Sequence, residues 1–264
     1  MFIVYRLRYE PMWHVISVVF GAIVGSFLNV CMIRLPKEES IVTPGSHCPR
    51  CNHPIMFYDN IPLISYLVLG GKCRYCKSSI SAQYPLIEGI TAIASLLLFS
   101  KFGLSLNYLF YFSFVAALIV ITGIDLYHQI IPDVISIPGI GVGLLGALIV
   151  PYITFFNSLL GILLGGGSLF VVATVYQRLF KREGMGGGDV KLLAMIGAFL
   201  GWESVILTIL LSSLIGSIIG IIIMVIKGKD FKYAIPFGPF LSLGAVIALF
   251  CGEALIRWYI NLNR

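Results

Sequence analysis

Val205-Ile-Leu-Thr-Ile-Leu-Leu-Ser-Ser-Leu-Ile-Gly-Ser-Ile-Ile-Gly-Ile-Ile-Ile-Met-Val-Ile226 runs for 22 residues without a charge. At ~1.5 Å of rise per residue such a helix is about 33 Å long, enough to cross a hydrocarbon layer of ~30 Å. Seven further apolar runs flank it: Met12 to Ile33, Leu86 to Ser100, Tyr108 to Ile124, Val134 to Val150, Leu159 to Phe180, Val190 to Leu200 and Phe237 to Ile256. Joining the run at Val190 to the one at Val205 would give a rod of roughly 55 Å, far too long for one crossing. Gly201-Trp-Glu203 therefore marks a turn at an interface. The expected fold is an all-α polytopic membrane protein with about eight transmembrane helices.

Composition agrees. Of 264 residues, 58% are apolar and 11% charged, against roughly a quarter charged in an ordinary globular chain. Mean hydropathy is +0.97. These values exclude disordered, fibrous and small disulfide-scaffold classes. The net charge of +6 would suggest nucleic acid in a soluble protein, but among so few charges it reads as topology. Eight helices put both termini on one side. Arg34, Lys37, Arg50, Lys72, Arg74, Lys77, Arg178, Lys181, Arg182, Lys191, Lys227, Lys229 and Lys232 then collect on one face, and Arg6, Arg8, Lys101, Arg257 and Arg264 on the other. The richer side is expected in the cytoplasm. Arg6 and Arg8 imitate the start of a signal peptide, but the apolar run behind them is long and seven more follow, so it is expected to stay as a membrane helix. Three segments result: a first transmembrane helix (1–34), a cytoplasmic zinc-binding loop (35–85) and a membrane bundle (86–264).

The loop holds Cys48-Pro-Arg-Cys51 and Cys73-Arg-Tyr-Cys76. Two C-x-x-C knuckles about twenty residues apart match a tetrahedral four-cysteine zinc site; a pair of disulfides is the alternative, disfavoured in the cytoplasm. His47 and His53 flank the first knuckle and read as solvated loop residues. Cys31 and Cys251 lie in apolar runs and read as packing residues.

Ionisable residues at membrane depth are costly and point to function. Asp125 ends the third run, where a carboxylate meets the wrong end of a helix dipole. Asp189 opens the sixth, where capping the helix that starts at Val190 is the plain alternative. Asp133, after Ile131-Pro132, reads as an ordinary N-cap. Asp189 also closes Gly184-Met-Gly-Gly-Gly188, a run that lets another backbone approach closely. Gly165-Gly-Gly167 reads as close helix packing.

Gly25-Ser-Phe-Leu-Asn-Val30 with Arg34-Leu-Pro36, the two knuckles, Asn60-Ile-Pro-Leu-Ile-Ser65, Tyr84-Pro-Leu-Ile-Glu88, Asp125 with Ile131-Pro-Asp133, Gly186-Gly-Gly-Asp189 and Pro236-Phe-Gly-Pro239 stand in one order. In that order the chain resembles the bifunctional type IV prepilin peptidases, from Gly25 to about Ala245. The resemblance implies cleavage of a leader after glycine at the cytoplasmic face of the inner membrane. Methylation of the new N-terminal residue with S-adenosylmethionine would follow. Prepilins or pseudopilins would be the substrates, in contact with membrane lipid and without nucleic acid. It places Asp125 and Asp189 in the GxGD class of aspartyl proteases. Glu88 is the family-matched residue for methyl transfer and cofactor binding, with Asp59 second. Against Glu88 stands a helix-start role, since Pro85 reads as a first helical residue and Glu88 as first-turn charge. No glycine-rich dinucleotide fingerprint is present, so S-adenosylmethionine rests on the resemblance. The alternatives are a peptidase without methyl transfer, a proton-coupled transporter, whose relays also use membrane aspartates, and a structural assembly module.

Overall fold

The computed structural model describes residues 11–181, 186–227 and 235–262. Arg6, Arg8, Arg182, Gly184, Met185, Lys229, Lys232 and Arg264 lie outside the described residues. Among those described, the chain forms nine α-helices: α1 (Pro11–Arg34), α2 (Ile64–Val68), α3 (Gln83–Phe102), α4 (Leu106–His128), α5 (Asp133–Gly146), α6 (Phe155–Phe180), α7 (Gly187–Leu200), α8 (Trp202–Lys227) and α9 (Gly238–Leu262). Every expected apolar run contains a helix, although the fourth ends at Gly146 rather than Val150. Six of them (α1, α3, α4, α6, α8 and α9) are long and apolar enough to cross a membrane. The chain is a multi-pass membrane protein. It divides into two compact units, one up to Val120 and one from Ile121 onward, with the boundary inside α4.

In the first unit the packing inverts the soluble pattern. Along α1, Val15, Val19, Ile23 and Phe27 are exposed while Ser17, Gly21, Gly25 and Asn29 are buried. A four-residue repeat puts small and polar side chains inside and large apolar ones toward lipid, because small residues let membrane helices approach closely. A Cβ on Gly21 would lie 2.7 Å from the Ala92 Cα, and one on Gly25 2.7 Å from the Glu88 Cα, so α1 and α3 touch backbone to backbone. Polar bonds fix the pair. Asn29 Nδ2 donates to the Tyr84 carbonyl at 3.2 Å, and the Ser95 hydroxyl donates to the Ser17 carbonyl at 2.6 Å. With that hydrogen committed, Tyr108 donates its own to Ser95 at 2.6 Å. α3 stops at Gly103, at φ +64°, and α4 starts behind Ser105, whose hydroxyl accepts the Tyr108 N–H.

In the second unit α7 is the central rod, with every residue from Leu192 to Phe199 buried. α5 meets it at Gly139 against Met195 and Gly143 against Ala198. α6 meets it at Gly161 against Gly197 and Gly165 against the Leu193 carbonyl, which bears out close packing at Gly165; Gly167 faces open space. α5 and α7, with 14 residues each, are only about 21 Å long. Both nevertheless run between the same two end layers. Asp133 at the start of α5 pairs with Lys191 at the start of α7, while the Gly201 turn after α7 sits beside Ile153 and Asn157, which follow α5. Gly201 has φ +80° and separates α7 from α8, as the length limit requires. Cys31 is buried as expected; Cys251 is exposed and so is no packing residue.

Candidate functional site

Asp125 sits in the last turn of α4 and is 5% exposed. Its Oδ2 accepts the Gly238 N–H at 3.0 Å. Gly238 is the first residue of α9, so this N–H is one of the donors a helix start leaves unpaired. Asp125 thus stands at the unfavourable end of its own helix dipole and the favourable end of another. A Cβ on Gly238 would come 2.6 Å from Asp125 Oδ2, so the approach requires glycine.

Asp189 is not the cap of a helix beginning at Val190. The helix begins at Gly187, Gly186 is the N-cap, and Asp189 lies inside the first turn with its N–H bonded to the Gly186 carbonyl. Glycine is a poor helix former, and the apolar pattern starts only at Val190, so the sequence hides this first turn. Ile131 links the two neighbourhoods: a Cβ on Gly188, beside Asp189, would fall 2.8 Å from the Ile131 Cβ, and one on Gly238, which bonds Asp125, 3.4 Å from its Cδ1. Among the described residues, nothing lies within 4 Å of a Cβ on Gly187, and the nearest atoms to one on Gly186 are at 4.0 Å, Asp189 Oδ2 among them.

Asp133 is not an N-cap either. Pro132 holds that position, and both Asp133 oxygens take the Lys191 ammonium at 2.7 and 2.8 Å. Lys191 is a partner that sequence reasoning missed. Its signal was its position, a cation two residues after Asp189 in an otherwise apolar run.

In the first unit, Glu88 is 7% exposed. α3 begins at Gln83 after Ala82, so Pro85 is the third helical residue and Glu88 lies beyond the first turn. The helix-start account of Glu88 therefore fails. Its Oε2 accepts the Leu63 N–H at 2.7 Å. Leu63 stands at φ +63° and ψ −48°, a region costly for a branched side chain, so Glu88 holds a strained loop backbone in place. Asp59 is tied up by Arg74, with bonds of 2.6, 2.8 and 3.1 Å. That guanidinium holds the Asp59 carboxyl below the usual range, first by hydrogen bonding and then by charge.

The four Sγ atoms of Cys48, Cys51, Cys73 and Cys76 lie within 4.8 Å of one another, and all four cysteines are free thiols. Each knuckle closes the same way. Asn52 donates to the Cys48 carbonyl and Lys77 to the Cys73 carbonyl, both from positive φ. The Cys51 and Arg50 N–H groups lower the Cys48 thiol to about 6. At Cys51 the His53 N–H lowers the thiol, but desolvation and the Cys48, Cys76 and Cys73 sulfurs outweigh it and push it to about 11. Crowded thiols of this kind resist joint ionisation unless a cation joins them. A donor set of four sulfurs suits a soft or borderline metal. His47 bonds the Gly45 carbonyl and His53 stacks on Tyr75, so neither joins the cluster.

The bacterial peptidase A24 N-terminal domain matches residues 19–102, and the type IV leader peptidase family matches residues 112–221. The prepilin leader peptidase/N-methyltransferase of Pseudomonas aeruginosa is 38% identical over 268 residues, covering 93% of this chain and 92% of that one. The chain belongs to the type IV leader peptidase family. Proteins of the same name from Aeromonas salmonicida and Aeromonas hydrophila are 35% and 34% identical, each covering 94% of this chain and 95% of its own length. No solved structure matches.

Proposed function

We propose that this family member is bifunctional, cleaving prepilin or pseudopilin leaders after glycine and then methylating the new N-terminus. What supports the peptidase half is that Ile131 packs against both Gly188, beside Asp189, and Gly238, which bonds Asp125, so the two aspartates stand at one end of the helix cluster. Two carboxylates in one site share a proton. The ionised one removes a proton from water as its oxygen attacks the scissile carbonyl, and the other gives its proton to the carbonyl oxygen. The tetrahedral centre then collapses, and the departing amine takes a proton back from the pair. The two titrate as a unit, so neither role belongs to one residue. Gly238 fixes the Asp125 oxygen, and the Asp133–Lys191 pair holds the start of α5 against the first turns of α7.

Methyl transfer needs a neutral amine, while a free α-amino group has a pKa near 8. Buried Glu88 is the group assigned to accept that proton and to favour the cofactor's cation. Asp59 stands second and is weakened by its commitment to Arg74. S-adenosylmethionine supplies the methyl group when bound. Cys48, Cys51, Cys73 and Cys76 would hold one structural zinc through four thiolates. Residues 35–85 are the zinc-binding loop associated with methyl transfer, Glu88 joins it from the start of the membrane bundle, and the bundle of 86–264 otherwise carries the peptidase, with 1–34 as the first membrane helix. The basic excess in the first loop argues for an inner-membrane protein with both sites facing the cytoplasm.

Purified protein, a prepilin and labelled S-adenosylmethionine test the proposal together. Leader release with label on the mature N-terminus supports it; release without label reduces it to a peptidase, and neither product sinks it.

A further inference from the structure

The segment between the first two spans is not evenly polar. From Phe57 to Leu69 the sequence is Phe-Tyr-Asp-Asn-Ile-Pro-Leu-Ile-Ser-Tyr-Leu-Val-Leu, with one charged residue. That residue, Asp59, has its side chain 8% exposed and paired with Arg74. The outward face is apolar instead: Phe57 is 85% exposed, Leu67 77%, Val68 74% and Ile64 58%. A water-facing loop would leave this patch unexplained.

The depth of the segment explains it. Leu63 bonds to Glu88, and its side chain lies 4.0 Å from where a Cβ on Gly89 would be. Glu88 is five residues into α3, about 7.5 Å along the helix from its start. At that level α3 already turns exposed Leu86, Ile90 and Ile93 outward, the lipid-facing side of a membrane span. The loop therefore folds back along α3 below its end, and its apolar face continues the lipid face of the span. Lys72 and Lys77, just beyond, are exposed and suit anionic headgroups.

We propose that residues 57–68 form an interfacial foot, seated in the same bilayer that the helices cross, at the boundary of acyl chains and headgroups. Only the zinc knuckles and the 38–47 stretch then stand in water. This rests on the membrane architecture and not on either proposed chemistry. The foot would hold the Glu88 site at the membrane surface, where a membrane-anchored substrate presents its new N-terminus.

The test uses the full chain in nanodiscs of phosphatidylethanolamine and phosphatidylglycerol, with Trp13, Trp202 and Trp258 replaced by Phe. Single tryptophans are then placed by Phe57→Trp, Leu67→Trp, Leu97→Trp as a span control and Val42→Trp as a water control. Brominated acyl chains should quench Phe57→Trp and Leu67→Trp nearly as strongly as Leu97→Trp, with little effect on Val42→Trp. Quenching of the two foot positions no greater than at Val42 overturns the proposal. So does shielding that appears only when two copies share a disc, which would make the face a contact between chains. Wild-type protein provides a check free of substitution: a diazirine on the lipid acyl chain should label peptides within 57–68, and labelling confined to the spans contradicts the foot.

Discussion

Gly238 donates its backbone N–H to Asp125 Oδ2 across 113 residues of sequence. The bond joins the C-terminal turn of α4 to the first residue of α9. It explains why a carboxylate survives where its own helix dipole opposes it, since a second helix start supplies an unpaired donor and the compensating partial charge. A glycine is needed because any side chain there would strike the carboxylate.

Gly238→Ala should therefore displace the Asp125 carboxyl while leaving both aspartates in the chain. Cleavage should fall about a hundredfold, the usual effect of misplacing a reacting group by ~1 Å. Methylation of an already cleaved substrate should be unchanged. Parallel rate measurements on one purified preparation check both halves.

Glu88→Gln should spare leader cleavage and slow methylation by about a hundredfold or more, the low side of what a lost proton acceptor costs. The amide oxygen can still receive the Leu63 N–H, so the loop stays seated and charge alone is tested. Glu88→Ala removes the bond as well and should be worse. If Glu88→Gln methylates at full rate, the residue is only a tether for Leu63.

One zinc per chain is expected at the four cysteines. Cys48→Ser should lose the metal and loosen the loop, because metal binding supplies folding energy that a loop with little apolar core lacks. Metal analysis together with limited proteolysis of the loop reads both effects. Zinc-free wild-type protein with an ordered loop would contradict this.

A reporter fused after Lys77 should behave as cytoplasmic and one fused after Leu104 as periplasmic. The reverse would place the aspartates on the wrong face for a substrate leader held in the cytoplasm.

The sequence reveals its helices because apolarity and length are local properties, and all eight apolar runs could be read from them. Their edges were harder to place. α7 starts at Gly187 rather than Val190 because glycine and a carboxylate carry no apolar signal, and α3 starts at Gln83, which moves Glu88 out of the first turn. The four thiols were legible from spacing. The partners were not: Asp59 with Arg74, Leu63 with Glu88 and Asp133 with Lys191 are 15, 25 and 58 residues apart. Such pairs follow from how helices dock, and no periodicity in one segment encodes them. The apolar loop face went unread for a similar reason, because without the Leu63 contact nothing sets its depth.

The central claim is that Asp125 and Asp189 act as one catalytic pair. Leader cleavage by purified Asp125→Asn and Asp189→Asn, assayed beside methylation of a pre-cleaved substrate, tests it most directly. Each substitution should lower cleavage by about 10²–10⁴-fold, since either destroys the shared-proton arrangement, and both variants should methylate normally. Robust cleavage by Asp189→Asn would contradict the pair.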